Sequence, residues 1–159
     1  MSKMSRPLLL LASVALAAGP LSTSHALLDK TRFVAHLGVA YYAFHHWVLA
    51  PYTAGKFASG ASGRMGALAK GGLALLFAAH EVNVAGKVAH NSPDPLLQKL
   101  DGELAKVQGA FGEVGNRFKQ GQFSEADVRA LESATGALSQ GSAAAGQPIR
   151  DIAAPIPGL

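Results

Sequence analysis

Five histidines fall between residues 36 and 90: His36, His45, His46, His80 and His90. Neutral imidazole ligates zinc, copper or haem, and its proton affinity suits transfer near neutrality, so the spacing of these rings decides what chemistry is open to them. A helical metal site needs ligands at i and i+3 or i+4, where they share a face. No pair here has that spacing. His45 and His46 are adjacent and diverge by about 100° on a helix, and His80 and His90 lie ~15 Å apart along an axis. The stretch "HEVNV" (80–84) opens like the helical motif of zinc proteases, but Val84 stands where the second histidine is required. What remains is a site built across two helices, with His45 or His46 facing His80. His45, His46, Trp47 and His80 are therefore the candidate ligand or partner face. The expectation for resident metal and cofactor is none, since haem would have one axial histidine and no attachment cysteine.

Catalytic patterns are weaker. No G-x-S-x-G elbow occurs, and Ser59 and Ser62 sit in a glycine-rich stretch without an obvious base. Glu81 follows His80, but adjacent helical residues point about 100° apart, so Glu81 is expected on the solvated face or beside a lysine. "GKF" (55–57) lacks the upstream glycine and following Ser/Thr of a phosphate loop. The reading is that of a protein that is not an enzyme.

The stretch "VAYYAFHHWVLAP" (39–51) spreads four aromatics and two histidines over every side of a helix. A helix apolar all round is buried in protein or embedded in lipid. Eighteen uncharged residues, 33–50, sit at the threshold for a span, yet each histidine is costly in hydrocarbon unless paired. A core helix whose Tyr and Trp tips reach a wet rim, with Pro51 and Tyr52 just beyond, is the reading adopted.

The elements that must position these residues are all helical, since alanine and glycine dominate and no period-two run appears. A first helix is expected from Asp29 as N-cap to Ala50, stopped by Pro51. A second runs from about Arg64 to His90, with the seam Leu68, Gly72, Leu75, Ala79, Val82, Gly86, Ala89 alternating large and small residues. Its close approach to the first helix is expected at Gly72, Ala79 and Gly86. A third begins with Asp94 capping and Pro95 at the first helical position, and carries Leu97, Leu100, Leu104, Val107, Phe111, Val114, Phe118 at spacings of three and four. "GQFSEAD" (121–127) announces a fourth: Ser124 caps, Asp127 completes a capping box and Phe123 staples to Val128. That helix is expected to end near Leu138.

Residues 1–26 read as a signal peptide: Lys3 and Arg6, an apolar run at 7–18, "GP" at 19–20, and small residues Ser24 and Ala26 before an expected cut. "ALA" at 15–17 offers a second cleavage site. An uncleaved anchor is the alternative. The mature chain, 27–159, has no cysteine and must rely on its core. Its net charge of +2 and lack of basic–aromatic interleaving exclude a nucleic-acid partner. Charge is uneven: residues 27–92 carry six Lys/Arg against two acids, residues 93–159 six against eight, so the halves are candidates for electrostatic complementarity. The composition is similar to that of many exported bacterial proteins, a likeness that implies no activity.

The expected architecture is all-α: a signal peptide, then one antiparallel bundle of about four helices over 27–140, then a flexible Pro/Ala/Gly-rich tail over 141–159. The expected function is an exported, non-enzymatic interaction or structural module of the cell exterior, whose partner is another protein or a second copy. Alternatives are a small-ligand or metal carrier using a His/aromatic crevice between the first two helices, and a membrane-associated protein with the first helix inserted.

Overall fold

The computed structural model describes residues 20–159, with side chains from residue 25 onward. Most of the expected signal peptide lies outside the described residues. Among the described residues the chain is all-α, with four long helices packed together and no strand. They are α1 (Pro20–Phe44), α3 (Arg64–Asn91), α5 (Asp101–Lys119) and α6 (Glu125–Ala144), with two short helices, α2 (Ala50–Thr53) and α4 (Pro95–Gln98). None is long and apolar enough to cross a membrane.

The first helix departs from expectation at both ends. It is already helical at Pro20, the first described residue and ahead of Asp29, and no glycine or proline interrupts residues 21–37. It also continues past Pro51. Proline lacks an N–H, and its ring collides with the carbonyl four residues back. A π-helical turn at His45–Leu49 resolves that conflict: Ala50 N–H reaches five residues back to the His45 carbonyl, and the helix then resumes as α2 with Pro51 in its first turn. Single π-turns of this kind widen a helix locally. Here the widened turn is the histidine–tryptophan segment itself.

Phe33, Leu37, Tyr41, Phe44 and Val48 run down the buried side of α1 and the π-turn. α3 lies between α1 and α5 and contributes Leu68, Ala74, Leu75, Ala78, Val82 and Ala85. Where α3 approaches its neighbours, two adjacent glycines divide the work. A Cβ on Gly71 would meet the Trp47 carbonyl at 3.1 Å; one on Gly72 would meet the Gly115 carbonyl and the Lys119 main-chain nitrogen of α5 at 2.8 and 2.9 Å. The expected close approach to the first helix is therefore corrected at Gly72 and Gly86. Gly71 serves the π-turn, Gly72 serves α5, and a Cβ on Gly86 would meet nothing within 4 Å. A seam of period three and four cannot say which neighbour each small residue faces.

The third helix is broken in two. Leu100 N–H bonds the Leu97 carbonyl, a three-residue step at 3.0 Å, so the chain tightens between α4 and α5 while both leucines stay buried. The Asp94 cap forms as read: its carboxylate accepts from Leu96 N–H at 2.8 Å. It also meets Lys30 of α1 at 2.8 Å. These bonds, that from Lys30 foremost, hold Asp94 below the usual carboxylate range. Ser124 caps α6 by accepting from Ala126 N–H. Asp127 instead makes a two-point contact with Arg117 of α5, at 2.7 and 3.0 Å, because a guanidinium fork is a better partner for a carboxylate than one N–H. Phe123 joins Phe57 and Phe118 in a ring cluster that ties the α2–α3 connection to α5.

α6 runs six residues beyond Leu138, and the chain then turns back irregularly. Ile152 N–H donates to the Gly38 carbonyl of α1 at 3.0 Å, and Ile156 is buried. A Cβ on Gly38 would collide with the Arg150 carbonyl. Its absence lets the tail lie directly on α1.

Candidate functional site

The structure distributes the predicted site residues over different surfaces. His45 Nδ1 bonds the Asp151 carboxylate at 2.7 Å and, with Tyr41, Thr135 and Ser139, lines a depression of about 300 Å³ beneath the tail. His46 is exposed and stacks on Tyr42 one turn earlier, ring centroids 5.1 Å apart. Trp47 turns the other way, toward α3. His80 is exposed on α3. Of the four, only His46 and Trp47 touch as rings, edge to face at 5.1 Å. The π-turn and the 100° step between neighbours send three consecutive side chains in three directions.

Histidines instead pair singly with carboxylates. His36 of α1 meets Glu81 of α3 at 2.6 Å, and His90 meets Asp101 at 3.4 Å. Glu81, expected on the solvated face or near a lysine, is drawn inward by His36. Among the described residues no group of three or more His, Asp or Glu gathers to hold a metal ion. The charge asymmetry of the two halves is answered by three of these contacts, Lys30–Asp94, His45–Asp151 and His90–Asp101, each joining a first-half base to a second-half acid. Exposed pairs of this kind are each worth about 1 kcal/mol or less.

The depression beneath the tail is sealed at its floor. Tyr41 is 5% exposed and donates its hydroxyl proton to the Thr135 carbonyl of α6. Burial first, and then the Asp151 carboxylate, push its phenol well above the ordinary tyrosine value. It is a neutral donor that joins two helices.

The other side of the π-turn is different. A cavity of about 310 Å³ opens between Trp47 and Pro51 on one wall and Gly66 and Ala67 of α3 on the other, with the exposed lysines Lys56 and Lys70 beside it. Nothing lies within 4 Å of a Cβ built on Gly66. No acidic residue lines it, neither lysine has an ion-pair partner among the described residues, and the chain contains no Asp or Glu between Asp29 and Glu81. α3 starts at the same rim, with Gly63 as an N-cap that offers no side chain and no acid in the first turn. The formal charges of this segment of the chain, residues 30–80, are all positive.

No known protein family, curated protein or solved structure matches the chain. Trp47 was legible in the sequence as a rim aromatic. Lys56 and Lys70 were not singled out; the signal that marks them is the acid-free run around them, which leaves two lysines without a local counter-charge.

Proposed function

We propose that the chain is an exported, non-enzymatic binding module. In this reading a signal peptide is followed by one antiparallel bundle of four long helices, and its working surface is the Trp47 depression between the end of α1 and the start of α3. One observation carries it: an open, apolar-walled cavity flanked by two lysines without an ion-pair partner among the described residues, whereas His36, His45 and His90 are each taken up by a carboxylate. Ligand sites are concave, mostly apolar and set with a few polar groups, and this cavity has that make-up. The small-ligand reading of the crevice between the first two helices thereby keeps its place but changes its residues. Trp47 remains, and Lys56 and Lys70 replace His45, His46 and His80.

The test is site-directed photo-cross-linking in the native host. A photoreactive residue at the cavity-lining position 67 is expected to give a discrete adduct, whereas the same residue at the exposed α6 position 137 gives none. Equal labelling from both positions, or none from position 67, removes the reading.

A membrane-associated reading draws on Leu27 and Leu28, which are 61% and 60% exposed at the start of α1. Retention of the exported protein in the pellet after a carbonate wash would favour it.

A further inference from the structure

We propose that the Trp47 depression takes a small monoanionic amphiphile, a carboxylate on an aliphatic or aromatic body. The inference rests on the binding reading above and names its occupant.

Size sets the class. About 310 Å³ is at the lower end of ligand cavities, enough for one small molecule and too little for a packed helix. The walls set the body. The Trp47 indole, the Pro51 ring and Ala67 give an apolar lining, and the missing side chain of Gly66 keeps it open. Inorganic phosphate or a sugar would forfeit the burial that such walls reward. Charge complementarity sets the head group. Lys56 and Lys70 come from two different elements, the α2–α3 connection and the second turn of α3, and reach one cavity without a carboxylate between them. Two like charges beside one apolar cavity repel each other, and an anion lodged there relieves the repulsion. Lysine binds as a point charge on a flexible stem, so it accepts a carboxylate without demanding the planar two-point fit that arginine would impose. An anionic body buried against indole and proline, with its head between two ammonium groups, satisfies all three conditions. A neutral or cationic amphiphile satisfies two at most.

Trp47 is the chain's one tryptophan, so its emission reports on this cavity and on no other. The experiment titrates the purified, exported chain with decanoate, kept below its micelle-forming concentration, and follows Trp47 emission. A saturable shift is expected. 1-Decanol and decyltrimethylammonium are expected to bind at least about tenfold more weakly, since they lack the head group that two ammonium groups reward. Lys56→Gln with Lys70→Gln is expected to weaken decanoate binding about tenfold and to erase the preference over decanol, whereas Lys56→Arg with Lys70→Arg stays within about threefold of the wild type. Both lysines are exposed, so an unchanged melting temperature verifies that each variant is folded.

No saturable change with decanoate overturns the proposal. So does equal affinity for decanol. A response to phosphatidylglycerol vesicles but not to decanoate also overturns it, by assigning the lysines to a lipid surface. An adduct from position 67 in the host, with no decanoate binding, leaves a binding face with another occupant. Failure of both experiments removes the face itself.

Discussion

Helix α3 carries four glycines between Arg64 and Asn91, and they fall into two kinds. Gly71 and Gly72 are sites where other backbones already stand: the Trp47 carbonyl on one side, Gly115 and Lys119 of α5 on the other. Gly66 and Gly86 face open space. Glycine in a helix interior costs about 1 kcal/mol relative to alanine. At Gly71 and Gly72 close packing offsets that cost. At Gly66 nothing within the chain does, and the vacancy lies on the wall of the lysine-flanked cavity. The same contrast recurs along α1, where Tyr41 is sealed against α6 while Trp47, six residues on, has one face open.

The contrast breaks first at Gly72. Gly72→Val would drive new carbons into main-chain atoms of α5 that cannot swing aside, and destabilisation of about 3 kcal/mol is expected. Thermal unfolding followed by circular dichroism measures it, and an unchanged midpoint would mean that α3 and α5 are not in backbone contact.

A smaller effect, about 1 kcal/mol, is expected for Tyr41→Phe, which removes one buried hydrogen bond between α1 and α6. Its pH dependence sharpens the comparison. The folded phenol titrates above its unfolded value of about 10. Folding therefore favours the protonated form, and this contribution is fully present below about pH 10 and fades as pH rises through the folded value. Denaturant midpoints should fall more steeply above pH 10 in the wild type than in Tyr41→Phe. Parallel curves would show that Tyr41 is not sealed.

The smallest effect has the opposite sign. Gly66→Ala is expected to raise stability, by up to about 1 kcal/mol, because its methyl group meets nothing and the unfolded chain loses freedom. A loss of stability would mean that the cavity wall is occupied by something within the protein.

The sequence made local features legible and left the tertiary ones hidden. Asp94 and Ser124 could be read as caps because a cap and its N–H lie two residues apart. The α5 stripe could be read because its spacing is the helix period itself. Passage of the helix through Pro51 could not, since proline is a stop signal unless a π-turn precedes it, and no residue pattern announces one. Asp127 was misassigned to its own helix because Arg117 lies on another. A site with His45 or His46 facing His80 depended on how two helices meet, and there His45 turns to Asp151, His80 is exposed and His46 touches only Trp47 of the four. For the candidate site, Trp47 was visible as an aromatic at a wet end. The lysines needed the fold, which brings residues 56 and 70 to one cavity.

The most direct measurement of the central claim fills the open glycine. Gly66→Phe adds a ring at the wall of the Trp47 depression, where a Cβ meets no atom within 4 Å. The account predicts a melting temperature no lower than that of the wild type, together with loss of the adduct formed in the host from a photoreactive residue at position 67. An undiminished adduct in the filled variant would contradict it.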